Sequence, residues 1–365
     1  MSAAKQNALH VRAGRLPAET AGNDAACAVL HRRTLARDEY IAGILQGDRS
    51  VLSRAITLIE SSRAADREMA EEIVEACLPH SGHALRVGIT GVPGAGKSTL
   101  IEALGQYVIS EQRQSIAVLA IDPTSQLTGG SVLGDRTRMV SLSSCAMAFI
   151  RPSPSRGSFG GVAQRTREAM LLCEAAGYKN ILVETVGVGQ SETAVHDMVD
   201  LFLLIMLSGA GDEIQGMKRG VMELADLIAI NKADGENVAA AERTRVDAET
   251  ALQFFPTRGS EWKPRAVACS ALTGRGIPAL WNTVREFAAF TTSNGWLEGN
   301  RREQRRRWLR EALEQGLGQL FRSHPLVKQQ LAACEQDVLE GRATPFRIAR
   351  NLLAIYTESA APANR

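Results

Sequence analysis

Several features are missing from this chain, and each absence removes a class of function. The six cysteines (Cys27, Cys77, Cys145, Cys173, Cys269 and Cys334) are scattered, with no C-x-x-C among them. That excludes a zinc knuckle and a disulfide frame, and it reads as reduced thiols in a reducing compartment. Histidine forms no tract. The single H-x-x-H, "HSGH" (80–83), has no third ligand near it in sequence and reads as a loop before a strand. The longest apolar run, "LFLLIML" (201–207), is seven residues, far short of the roughly 20 that a membrane-spanning helix needs. A net charge of +2 provides no global field to attract nucleic acid or an anionic membrane. The basic run "RREQRRR" (301–307) is therefore read as a solvated helix face. The N-terminus carries no signal-peptide apolar core. Residues 1–33 are expected to be a disordered tail, with a transit peptide as the alternative.

What is present divides into three parts. Residues 34–84 carry helical periodicity. Leu52, Ala55, Ile56 and Ile59 fall on one stripe, and Met69, Ile73, Val74 and Cys77 on another, before Pro79 and Gly82 end the segment. Between 85 and 290, seven apolar runs alternate with helical patterns: "RVGIT" (86–90), "SIAVLAID" (115–122), "MAFIRP" (147–152), "KNILVET" (179–185), "LFLLIML" (201–207), "LIAIN" (227–231) and "PRAVACS" (264–270). Continuous apolar runs, rather than two-residue alternation, predict a mostly parallel sheet covered by helices on both faces. From 291 to 365 the pattern is helical again. Trp308, Leu309, Ala312, Leu313, Leu317, Leu320 and Phe321 make an apolar stripe, although Gly316 and Gly318 weaken the case for one unbroken helix. Thr344 and Pro345 read as the cap and first residue of a further helix. The proline-rich "RPSPSRGSFGG" (151–161) is read as an ordered loop.

The chemistry lies at the predicted C-terminal strand ends, where parallel sheets bind ligands. "GVPGAGKS" (Gly91, Val92, Pro93, Gly94, Ala95, Gly96, Lys97, Ser98), followed by Thr99, fits G-x-x-x-x-G-K-[ST] between a strand and a helix. That context marks a phosphate-cradling loop. Its backbone N–H groups converge on phosphate at a helix N-terminus. Lys97 is expected to reach the β- and γ-phosphates, and Ser98 to ligate Mg²⁺. "NKAD" closes the sixth strand. A carboxylate at Asp234 can accept both N1–H and the 2-amino group of guanine, whereas adenine would leave it unpaired. Asn231 would tether the loops and the stem of Lys232 would cover the base. In "CSALTGRG" (269–276), Ser270, Ala271 and Leu272 bring a backbone N–H toward guanine O6. The nucleotide is read as GTP/GDP.

Two acids complete the site. Glu184 ends the fourth strand in "ETVGVGQSE", and Asp122 ends the second in "AIDPTS". Both are candidates for Mg²⁺; for Asp122 a plain turn role before Pro123 is the alternative. The acid at 122 together with glutamate at 184, where aspartate is usual, marks dimerising or metallochaperone-like GTPases rather than Ras-like ones. Gly187 is followed by Val188 rather than glutamine, so intrinsic hydrolysis is expected to be slow. Whether Gln190 orients the attacking water stays open.

The longer blocks "GITGVPGAGKST" (88–99), "AIDPTSQLTGGSVLGDRTRM" (120–139), "IRPSPSRGSFGGVAQRTREAMLLCEAAGY" (150–178), "ILVETVGVGQSE" (181–192) and "GDEIQGMKRGVMELADLIAINKADG" (211–235) are far more specific. Together they resemble the MeaB/ArgK/MMAA family, G-protein chaperones of adenosylcobalamin-dependent acyl-CoA mutases. The resemblance implies a P-loop GTPase with helical extensions. Its hydrolysis would gate cofactor loading, protection or reactivation in methylmalonyl-CoA mutase or a relative, and the mutase would speed that hydrolysis. It further implies three switches: 126–139, with Asp135 near Mg²⁺ and Arg138 near the nucleotide or dimer contacts; 184–193; and 211–220, with Asp212, Gln215 and Lys218 facing the partner. No D-x-H-x-x-G occurs, so adenosylcobalamin is assigned to the partner and not to this chain. The alternatives are a small-molecule kinase of amino-acid transport type, with His196–Asp197 as its only evident base, and a regulatory GTP-binding module without a delivery role. The apolar stripe at 308–321 predicts a homodimer. Bacterial cytoplasm is the expected location, and the mitochondrial matrix the second choice.

Overall fold

The computed structural model describes residues 35–122, 139–154, 159–185, 191–208, 219–256 and 259–360. All seven apolar runs form strands: β1 (Leu85–Gly91), β2 (Ile116–Asp122), β3 (Ala148–Pro154), β4 (Asn180–Thr185), β5 (Leu201–Leu207), β6 (Leu227–Asn231) and β7 (Arg265–Ala268). They make one sheet in the order β3-β2-β4-β1-β5-β6-β7, and each neighbouring pair is parallel. Every residue of β4 and β6 is buried, as expected of strands covered on both faces.

Thirteen α-helices surround the sheet among the described residues. One face is covered by α4 (Lys97–Ser110), α5 (Val140–Ser144) and α10 (Ile277–Ser293), whose Leu100, Leu104, Leu142, Leu280 and Trp281 join Val87, Ile89 and Leu203 in the main core. On the other, α8 (Arg219–Leu224) and α9 (Val238–Leu252) pack over Leu204, Met206, Ile228 and Ile230. Also present are α6 (Phe159–Ala175) and α7 (Ser191–His196), which pack on β2 and on β1 and β4 respectively.

The leader consists of α1 (Arg37–Leu45), α2 (Arg49–Glu60) and α3 (Ala64–Cys77). The first predicted stripe is the buried one: Leu52, Ala55, Ile56 and Ile59 are all fully covered. The second is rotated slightly, with Ala70, Ile73 and Cys77 buried while Met69 and Val74 flank them. Arg151 of β3 fastens α2 to the sheet through Glu60, Ser53 and Thr57. The proline-rich stretch is not a single loop. Residues 151–154 end β3, and α6 begins at Phe159.

The C-terminal arm is α11 (Trp296–Ser323), α12 (Pro325–Leu339) and α13 (Pro345–Ala360). The two glycines that weakened the case for one helix do not interrupt it: α11 runs through Gly316 and Gly318 for 28 residues, about 42 Å. Two glycines cost about 2 kcal/mol in a helix interior, which the contacts of its first turns offset. Arg347 donates its backbone N–H to Thr344 Oγ1 at 3.4 Å, in keeping with a capped start to α13.

Candidate nucleotide site

The phosphate loop joins the central strand β1 to α4. Gly96 is the N-cap of α4, with φ +84°, in the left-handed region. A Cβ there would also lie 2.8 Å from Asn231 Nδ2, so both backbone and space require glycine. The first N–H groups of a 14-residue helix thus open toward the loop, an arrangement that favours anions. Lys97 is buried, and its Nζ donates to Gly91 O at 2.8 Å and Val92 O at 3.3 Å. Pro93, Gly94 and Thr99 are exposed, and Ala95 is buried.

Glu184 sits at the end of β4, its backbone in register with Ile89 of β1 and Ala120 of β2. Ser98 Oγ donates to Glu184 Oε1 at 3.1 Å, and both residues are buried. Two ligands of an octahedral Mg²⁺, each about 2.1 Å from the ion, stand about 3 Å apart. This hard-oxygen pair therefore fits Mg²⁺, with phosphate and water expected to supply the other ligands. Among the described residues no cluster of three His, Cys, Asp or Glu offers a metal site independent of nucleotide. The backbone of Asp122 ends β2 two positions beyond the Glu184 register. Asp135, Arg138, Gln190, Asp212, Gln215 and Lys218, and the side chain of Asp122, lie outside the described residues.

The base-reading end is built around Asn231, which is almost fully buried at the end of β6. Its Nδ2 donates to Ala95 O at 2.8 Å, and its Oδ1 accepts the Ala271 N–H at 3.2 Å. One side chain thereby ties the phosphate loop to the loop after β7. The Ala271 N–H, expected to face guanine O6, is turned to Asn231 here. Asp234 is half-buried, and its Oδ2 accepts a hydrogen bond from the fully buried Ser270 hydroxyl. That contact fixes the carboxylate expected to read the base. Lys232 is exposed with φ +61°, a strained value for a lysine. The flanking bonds Ala233 N→Cys269 O (3.0 Å) and Cys269 N→Ile230 O (2.9 Å) hold the turn in place. Leu272 is 82% exposed. Burial pushes the Cys269 thiol up to about 12, so it stays neutral beside the base loop.

Three arrangements were not read from sequence. Glu102 of α4 accepts the Ser141 and Leu142 N–H groups, at 2.9 and 3.2 Å, at the start of α5. Arg86 and Glu174 form a buried ion pair at 2.7 Å below β1. The basic run is a solvated face only in part: Arg302, Arg305 and Arg306 are exposed, while Arg301, Gln304 and Arg307 turn toward the protein. Arg301 bonds Asp200, Gly82 O and Ala84 O, and Arg307 bonds Asp197. Arg302 and Arg306 pair with Glu298 and Glu303 on their own helix. Charge periodicity identifies a polar helix face, but it does not reveal acids brought to it by distant strands. Asp197 is held below the usual carboxylate range: burial alone would raise it, and the His196 bond and the Arg307 charge outweigh that.

Residues 52–325 match the family model described as methylmalonyl-CoA mutase-associated GTPase MeaB. The chain belongs to this family. It is 47% identical over 313 residues to a putative GTPase of Caulobacter vibrioides, covering 86% of this chain and 95% of that protein. It is 45% identical over 318 residues to the GTPase ArgK of Escherichia coli, again covering 86% and 95%. Identity is 42% over 329 residues with the mitochondrial methylmalonic aciduria type A homolog of Mus musculus, over 87% of this chain and 79% of that one. Among solved structures, one described as a LAO/AO transport system kinase superposes with a TM-score of 0.70 at 36% identity, covering 89% of this MeaB-family chain and all of that one. The fold is therefore that of a P-loop GTPase, a parallel sheet with helices on both faces and helical extensions at both ends.

Proposed function

We propose that this GTPase binds and hydrolyses GTP with Mg²⁺, and that the cycle gates adenosylcobalamin loading, protection or reactivation in methylmalonyl-CoA mutase or a related acyl-CoA mutase. The observation that carries the nucleotide assignment is the Asn231 bridge from Ala95 to Ala271, beside an Asp234 carboxylate oriented by Ser270. It couples the phosphate loop to a pocket edge suited to guanine N1–H and the 2-amino group. Lys97 would neutralise developing phosphate charge, and Ser98 with Glu184 would hold the metal that bridges the phosphates. Asp122 and Asp135 are proposed as further metal-facing acids, and Gln190 as a candidate to orient water. Asp212, Gln215, Lys218 and Arg138 are assigned to partner and dimer contacts. The client is inferred from the family description, which names association with methylmalonyl-CoA mutase. The cobalamin is assigned to that client, and a reducing compartment such as bacterial cytoplasm is the proposed setting.

The kinase alternative needs His196–Asp197 as a free base. The Asp197 carboxylate beside His196 also bonds Arg307 at 3.1 Å, which ties it to α11, and this favours the GTPase reading. The test is GTP turnover by the purified chain, alone and with methylmalonyl-CoA mutase from the same organism. We expect a rise of about tenfold or more, equal to about 1.4 kcal/mol off the barrier. Unchanged turnover across acyl-CoA mutases, or labelled phosphate appearing on a small molecule, would overturn the gating role.

A further inference from the structure

We infer that the turn at residues 197–200 is a joint linking the bound nucleotide to the stance of the C-terminal arm. The inference rests on the guanine-nucleotide reading above and adds a route of regulation to it. Asp197, Met198, Val199 and Asp200 connect the end of α7 to the start of β5. The first turns of α11 place four side chains on this one stretch. Arg301 Nε donates to Asp200 Oδ1 at 2.8 Å, and Gln304 Nε2 to Val199 O at 2.7 Å. Arg307 Nη1 reaches Asp197 Oδ1 at 3.1 Å, and Trp308 Nε1 reaches Asp197 O at 3.4 Å. Positions 301, 304, 307 and 308 share one helix face. Arg302 and Arg306, on the other side, pair only within α11 in the bonds described above.

The two ends of the joint differ in what holds them. Asp200 is tied to the fixed sheet: its N–H donates to Arg86 O at 2.9 Å, and its carboxylate accepts the Arg86 N–H at 2.9 Å. Asp197 instead directly follows α7, which starts seven residues after Glu184. The six residues of α7 span about 9 Å. The helix also has no slack against the sheet. A Cβ on Gly88 would lie 2.9 Å from Val195 and 3.0 Å from Val199 and Phe202. Close-packed contacts of this kind transmit a shift rather than absorb it. On its other side α7 packs on α8, so the two helices cannot move independently.

A tilt of α7 about its contact with Gly88 therefore reaches Arg307 and Trp308 through Asp197, while Arg301 stays pinned through Asp200. Six residues separate Arg301 from Arg307 and nineteen separate it from Leu320, about 9 Å and about 28 Å of helix. A free rigid helix would turn a shift of about 1 Å at the near contact into about 3 Å at the far leucines; the Arg167–Glu311 ion pair, which rests α11 on α6, limits that gain. By linkage, whatever the nucleotide does to the arm, the arm's contacts do to nucleotide affinity.

The experiment compares the ratio of dissociation constants for GDP and a non-hydrolysable GTP analogue in three full-length proteins: the parent, Arg307→Ala/Trp308→Phe, and the same-helix control Arg302→Ala/Arg306→Ala. The joint predicts that the first variant changes the parent ratio by at least about threefold and that the control leaves it unchanged. It also predicts that amide exchange over 301–311 differs between the two nucleotide states in the parent and converges in the first variant. Trp308→Phe alone, which leaves an aromatic ring at the position stacked on Arg167 and removes the N–H donor, carries the same test should the double variant fold poorly. Equal ratios in all three proteins, or equal shifts in both variants, would overturn the joint while leaving nucleotide binding intact. A parent that binds neither nucleotide would overturn the guanine reading and the joint with it.

Discussion

Asp234 and Ser270 allow the sharpest test of base choice. Replacing Asp234 with Asn swaps one acceptor for an amide donor, which faces the guanine 2-amino group donor to donor. The buried mismatch costs about 1–3 kcal/mol, so GTP affinity is expected to fall between about fivefold and about 150-fold. Xanthosine triphosphate, with a carbonyl at that position, should gain in parallel; isothermal titration with both nucleotides reads this. A second residue-scale expectation concerns pH. Burial raises the Cys269 thiol to about 12 from an ordinary value of 9.0, so the folded state holds a proton that the unfolded chain releases. The stability this gives is complete below about pH 9 and is lost as pH rises toward 12. The gap in urea midpoint between the parent and Cys269→Ala should therefore shrink over that range. A constant gap would show that the thiol is not buried as described. That the residues proposed to meet the base lie together was legible in sequence, because N-K-x-D and the S-A pair sit on consecutive strand ends. The role of Asn231 as a physical tie was legible too. The Ala271 N–H turned toward Asn231 was not, because that depends on the distance between two loops.

At the scale of elements, Glu102 is a case where sequence reading had no handle. It lies mid-helix in α4 in an ordinary amphipathic pattern, yet it caps α5 from 39 and 40 residues away. Since α5 follows directly on the first expected switch, its start must be held. Glu102→Ala should cost about 1–2 kcal/mol, as loss of a charged cap does, seen as a lower urea midpoint. Glu102→Gln should recover part of it. An unchanged midpoint for the alanine variant would remove the cap from the account. The seven strands were legible because continuous apolar runs leave few alternatives in a covered parallel sheet. The unbroken α11 was not legible. Its packing involves anchors at Arg301, Gln304 and Arg307 whose partners, Asp200, Val199 and Asp197, lie about a hundred residues earlier.

At the scale of the whole molecule, the same helix leaves an apolar face open. Leu309, Leu313, Leu317 and Leu320 are 57–61% exposed, aligned along one side of α11. Such a contiguous patch is an association surface, and a second copy is the proposed occupant. Light scattering at micromolar concentration should give the dimer mass, and Leu313→Glu/Leu317→Glu should halve it. A monomer mass for the parent would rule out the dimer under those conditions. The bordering strands of the sheet add a constraint of a different kind. β3 carries Pro152 and Pro154, which have no N–H to offer a neighbour, and α2 is clamped beside it through Arg151. On the opposite border β7 is only four residues long. Neither border is a good template for adding a strand. Growth of the sheet into a client or a fibre is therefore disfavoured at both ends, and a binding partner must read this protein through its helices and loops.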